Sequence, residues 1–137
     1  MNWMTIDPIL LIALQEDLGS GDVTTAGVVM AGRTCRGRFI AKEDGIVCGL
    51  EVAKRVFHHV ERLCGEDAPI VMRLRVPERA AVRRGDVLAE IEGPAAPILS
   101  GERVALNFLQ HLSGIATRTA AAAAMVRGTH ARIVDTR

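Results

Sequence analysis

Between Pro69 and Glu92 the chain alternates in two stretches, Met72-Leu74-Val76 against Val71-Arg73-Arg75 and Val87-Ala89-Ile91 against Asp86-Leu88-Glu90. From Val104 onward apolar residues fall instead at Val104, Leu106, Leu109, Leu112 and Ile115. The first spacing suits a pleated strand, whose side chains point to opposite faces in turn; the second suits a helix, whose faces recur every three or four residues. A chain that changes period in this way must pack helices against a sheet, and strands joined by turns as short as Arg83-Arg84-Gly85-Asp86 are expected to pair antiparallel. The fold class is therefore α+β.

"EGPAAPIL" carries two prolines and separates the two periods, so Gly93–Leu99 is the expected boundary, with Ser100 as N-cap of the helix that follows. Gly114 is expected to interrupt that helix before the alanine-rich "TAAAAAMVRG" resumes it, and "THARIVDTR" reads as a turn and a new strand from Arg132 to Thr136. Upstream, Asp7-Pro8 reads as a helix start, with Leu10, Leu11, Leu14 and Leu18 at helical spacing until Gly19. "GSGDVTT" is turn-rich; its acid and the lack of a following lysine favour a structural turn over a phosphate cradle. "TCRGRFIAK" (34–42) reads as a strand, and "GIVCGLEVAKRVFHHVERLCG" as a short strand and a helix with Leu50, Ala53, Val56, Phe57 and Val60 on one face.

Composition excludes some functions. With 17 Lys+Arg against 16 Asp+Glu the net charge is +1, too little to argue for nucleic acid or a membrane surface. The apolar run Ile9–Leu14 is too short to span a bilayer and has no basic residue before it, so a cytoplasmic location is expected. Cys35, Cys48 and Cys64 lack metal or disulfide spacing and read as reduced, buried thiols. His58 and His59, adjacent on a helix, do not converge on one metal and read as solvated or half-buried. No nucleophile and base pair, Walker loop or ligand cluster stands out, and the arginines of Arg83-Arg84 read as solvated turn charges.

Two arginines remain. Arg103 is expected in the first turn of its helix, where a cation opposes the macrodipole. Facing a cleft, it would draw a carboxylate or phosphate; the plainer alternative is a structural salt bridge, with Glu102 as its compensating neighbour. Arg137 ends the predicted strand, the end at which α/β barrels place substrate-handling residues.

Four motifs in order, "EDLGSGDVTT" (16–25), "AKEDGIVCG" (41–49), "GERVALNFLQHLSGIATRT" (101–119) and "IVDTR" (133–137), resemble those of the quinolinate phosphoribosyltransferases, or carboxylating nicotinate-nucleotide pyrophosphorylases. The resemblance covers nearly the whole chain and only the amino-terminal half of the family. It implies an N-terminal α/β sandwich with an antiparallel sheet over residues 1–100, then a linking helix and first strand of a truncated α/β barrel over 101–137. The implied reaction joins quinolinate to the ribose of phosphoribosyl pyrophosphate, giving nicotinate mononucleotide, pyrophosphate and CO2 in de novo NAD synthesis. Magnesium is the implied cofactor, with ligands beyond this chain. A homodimer is implied in which Arg103 reaches the partner's site, while Arg137 and Thr136 bind substrate in their own barrel and Asp135 gives structural support. Arginine suits such a dicarboxylate because its donors form a planar fork. Residues 1–137 alone are expected to be catalytically inactive. Other readings are a molybdenum-transport-associated homologue with another substrate, a non-catalytic dimerisation module, and a carrier-type domain suggested by "RRGDVLAEIEG" but lacking the modifiable lysine.

Overall fold

The computed structural model describes residues 2–19, 29–30, 32–65 and 68–135. Helix α1 spans Trp3–Leu18 and begins before the expected Asp7-Pro8 start, because the Asn2 side chain accepts the Met4 N–H at 3.2 Å and caps it. Pro8 is tolerated inside, and Leu10 and Leu14 are buried while Leu11 is partly exposed. The "GSGDVTT" turn lies, apart from Gly19, outside the described residues.

Strands β1 (Thr34–Ile40), β5 (Val87–Pro94) and β3 (Val71–Leu74) form one antiparallel sheet in the order β1-β5-β3. The register sets Gly37 against Ile91 and Met72 against Ile91, so Phe39, Met72, Ala89 and Ile91 share the inner face. Arg36, Arg38, Arg73, Glu90 and Glu92 alternate onto the outer face. A second, two-stranded antiparallel sheet pairs β2 (Gly45–Ile46) with β4 (Ala81–Val82).

Helix α2 (Leu50–Cys64) lays Val56, Phe57 and Val60 into the core, where Phe57 meets Phe39 edge to face with centroids 6.1 Å apart. Its start is unusual. Gly49 takes the cap position with φ 102, and the Glu78 carboxylate accepts the N–H groups of Gly49 and Glu51 at 3.0 and 2.9 Å. An acid is thus fixed at the positive end of the helix. Cys64, at the far end of α2, is exposed rather than buried, so the expectation of three buried thiols fails there; Cys35 and Cys48 are half-buried.

Helix α3 runs unbroken for 31 residues, Ala95–Met125. Ser100 is not its cap: Pro94 is, and the chain passes from strand to helix with no loop. Pro97 stands in the first turn, where a missing N–H removes no intrahelical bond. The division expected between residues 100 and 101 falls within this helix, and Ile98 on one side and Val104 on the other enter the same core. Gly114 does not interrupt it either, since the flanking turns are pinned from outside. Ser113 Oγ accepts the Cys48 N–H at 2.9 Å and donates to the Cys48 carbonyl at 3.1 Å, and Thr117 Oγ1 accepts the Ile46 N–H at 2.9 Å. After Gly128, residues 131–135 form no strand. Extended backbone needs a ladder partner, and no described strand runs beside them.

Gly101 lets α3 approach α2 closely: a Cβ there would stand 3.1 Å from Val60 Cγ2 and 3.2 Å from Phe57 Cδ1. Gly101→Val should therefore lower stability by about 1–3 kcal/mol through overpacking. The check is urea denaturation, expected to show a lower midpoint with an unchanged slope; a midpoint equal to wild type would show that the two helices can move apart freely.

Candidate functional site

Three charged clusters arise from these elements, and their burial separates them. On the outer sheet face Glu92 accepts from Arg73 at 2.7 Å and lies 3.3 Å from Arg36, while Arg75 pairs with Glu90. Arg73 above all, with Arg36, holds the Glu92 carboxyl below its usual range. All these groups are substantially solvated, and such pairs contribute about 0–1 kcal/mol each. The expected solvated turn at Arg83-Arg84 is ordered by acids that accept backbone protons, Asp86 from Arg83 at 2.8 Å and Asp44 from Arg84 at 2.9 Å.

The second cluster staples α1 to α2. Arg55 Nε donates to Asp7 Oδ1 at 2.8 Å, its Nη2 reaches Oδ2, and His59 Nε2 lies 3.0 Å from Oδ1. Trp3 lies against the Arg55 guanidinium, 5.4 Å from ring centre to Cζ. His58 is exposed, but His59 is buried rather than solvated or half-buried, because the Asp7 carboxylate gives its ring a polar partner inside. Among the described residues no three His, Cys, Asp or Glu converge to hold a metal ion.

The third cluster contains Arg103. It is the ninth residue of α3, not in its first turn, so the macrodipole argument no longer applies to it. Its Nη1 donates to Asp17 Oδ1 at 3.0 Å; Asp17, rather than the neighbouring Glu102, is its partner. The Arg103 side chain is 75% exposed and that of Asp17 only 19%. Both line an open cleft of about 930 Å³ between α1 and α3, together with Glu16, Asn107, Gln110 and His111. Ala13, Val104 and Phe108 line the cleft beside these polar groups, and within it the exposed Arg103 head is the group able to meet a carboxylate or phosphate. Thr136 and Arg137 lie outside the described residues; Asp135 is exposed. The Asp17 contact was not foreseen in the sequence, which separates the pair by 86 residues. An acid in the last turn of α1, against the helix dipole, is a local signal that a cation stands nearby, though it does not say which.

The model of the family described as "Quinolinate phosphoribosyl transferase, N-terminal domain" matches residues 22–113. The chain belongs to this family. It is 35% identical over 137 residues to a probable carboxylating nicotinate-nucleotide pyrophosphorylase of Bacillus subtilis, covering all of this chain and 45% of that protein. It is 40% identical over 126 residues to the carboxylating nicotinate-nucleotide pyrophosphorylase of Mycobacterium leprae, covering 91% and 43%. Among solved structures, NadC from Streptococcus pyogenes superposes with a TM-score of 0.78 at 36% identity, covering 88% of this chain and 42% of that one. The chain therefore spans less than half the length of these relatives. The likeness extends the antiparallel α+β architecture to the family. No helix among the described residues is long and apolar enough to cross a membrane.

The Asp7 staple makes a pH prediction. Hydrogen bonds from Arg55, then His59, outweigh burial and hold the Asp7 carboxyl far below its ordinary 3.8. A depressed folded value means that its stabilisation is complete above the unfolded value and is lost as pH falls through and below it. Asp7→Asn should lower the Tm near neutrality and lose less on acidification, so that the two melting curves converge between about pH 5 and pH 2. Thermal denaturation across that range checks it; a constant gap would remove the staple from the acid response.

Proposed function

We propose that this chain is the substrate-capping, amino-terminal part of a carboxylating nicotinate-nucleotide pyrophosphorylase. The enzyme transfers phosphoribosyl from phosphoribosyl pyrophosphate to quinolinate with loss of CO2, giving nicotinate mononucleotide and pyrophosphate in the cytoplasm. The observation that carries the reading is Arg103: a guanidinium carried on a long helix, exposed over a cleft of mixed polar and apolar lining, within the longest of the motifs that resemble the family's.

The reaction asks two things of these residues. A pyridine dicarboxylate must be held by fixed cations, and Arg103 supplies one planar fork for it. Water must also be kept from the reacting sugar carbon, which a helical face laid over the site can do. Arg137 and Thr136 act on the same substrate from the start of the barrel. The magnesium that accompanies the pyrophosphate draws its ligands from the part of the relatives that this chain does not cover. Two copies pair, Arg103 of each entering the other's site.

The test is CO2 release from carboxyl-labelled quinolinate with phosphoribosyl pyrophosphate and magnesium, by residues 1–137 and by the chain extended through its own reading frame. Release by the extended protein alone is expected, and Arg103→Ala should cut its kcat/KM for quinolinate by about 10- to 100-fold, the loss of a charge-assisted fork. Extended Arg103→Ala and Arg137→Ala proteins, each strongly impaired, should regain up to about a quarter of the wild-type rate when their subunits are exchanged, because half the dimers then carry one intact shared site. No release from the extended protein would move the reading to a homologue with another substrate, and no recovery on mixing would place both arginines in the same subunit's site.

A further inference from the structure

Asp17 occupies an unfavourable place for an acid. It lies in the last turn of α1, where the unpaired carbonyls already gather negative charge, and its side chain is four-fifths removed from water. Its partner is Arg103, at 3.0 Å. The two ends of this contact differ: the carboxylate is sunk between α1 and α3 and the guanidinium projects into the cleft. Arg103's own backbone is fixed as well, since Gly101, Val104 and Ala105 are buried on either side of it.

The contact uses Nη1 alone. No other hydrogen bond or ion pair is made by Arg103 among the described residues, so none of them occupies the edge formed by Nε and Nη2. That edge is the one whose two parallel N–H groups match a carboxylate. A flexible side chain with one edge held loses less freedom on gripping a ligand with the other, which is the general gain from preorganisation. An Asp17 that merely neutralised Arg103 would be expected across the fork, where it would compete with the ligand.

We infer that Asp17 is a positioning residue: it holds Arg103 by one edge so that the opposite edge is presented to a substrate carboxylate. The inference rests on the reading above that Arg103 receives a carboxylate of quinolinate. Asp17 touches no substrate and changes recognition only through Arg103, so its influence should vanish when the guanidinium is gone. It should also fall on the dicarboxylate alone, since phosphoribosyl pyrophosphate is held by other groups.

The experiment is steady-state kinetics on the extended protein, with Asp17→Ala, Asp17→Asn, Arg103→Ala and the Asp17→Ala/Arg103→Ala double variant, each checked by thermal denaturation. Asp17→Ala should raise the KM for quinolinate about tenfold, leaving kcat and the KM for phosphoribosyl pyrophosphate within about twofold. Asp17→Asn, which keeps an acceptor oxygen of the same size, should recover most of that loss and serves as the folded comparison if the alanine variant is unstable. In the Arg103→Ala background the Asp17→Ala change should add less than about twofold, the signature of two residues acting as one unit. An unchanged KM for quinolinate in both Asp17 variants, or equal effects with and without Arg103, overturns the inference while leaving the enzyme reading intact. If Arg103→Ala itself leaves the KM for quinolinate unchanged, the role given to Arg103 fails and the inference goes with it.

Discussion

The approach of α3 to α2 at Gly101 governs the rest of the arrangement. With no side chain at that point, Phe57 and Val60 press against the α3 backbone, and the contact fixes the axis of a helix about 46 Å long at 1.5 Å per residue. Arg103 lies two residues further on, so its stem inherits that fixed position. Ser113 and Thr117, further along α3, reach the segment at 46–48 because the same axis carries them there. A shift of α3 by the width of one methyl group would disturb the core, the Arg103 contact and this anchor together.

Burial distributes the ion pairs among different tasks. The outer-face pairs around Glu90 and Glu92 are solvated and add little beyond marking the face as wet. The Asp7–Arg55–His59 cluster is more enclosed and ties an otherwise peripheral helix to the body. The Asp17–Arg103 pair combines the two, with a sheltered acid and an exposed base.

The strands and α2 were legible because their periods are local: alternation over 69–92 places Met72 and Ile91 inward, and Val56, Phe57 and Val60 recur on one helical face. The ends of α3 were not. Pro94 and Pro97 read as breakers, although at a cap and in a first turn proline begins a helix as readily as it stops one. Gly114 read as a break because its propensity is poor, whereas contacts to residues 46 and 48, some 65 to 71 positions away, hold the flanking turns. The strand expected at 132–136 had the composition of a strand but no described neighbour to pair with. At the site, Arg103 was legible as the residue of interest; its partner Asp17 was not, since nothing local joins α1 to α3.

The hydroxyls of Ser113 and Thr117 give α3 a role usually filled by another strand. They satisfy backbone groups of Ile46 and Cys48, a rim of extended chain that would otherwise offer its donors and acceptors to any passing β-segment. Gly45 allows this closeness, since a Cβ there would stand 2.7 Å from Thr117 Oγ1. The helix that carries Arg103 thus also shields a sheet edge from unwanted pairing, so the wall of the cleft and resistance to aggregation draw on one element.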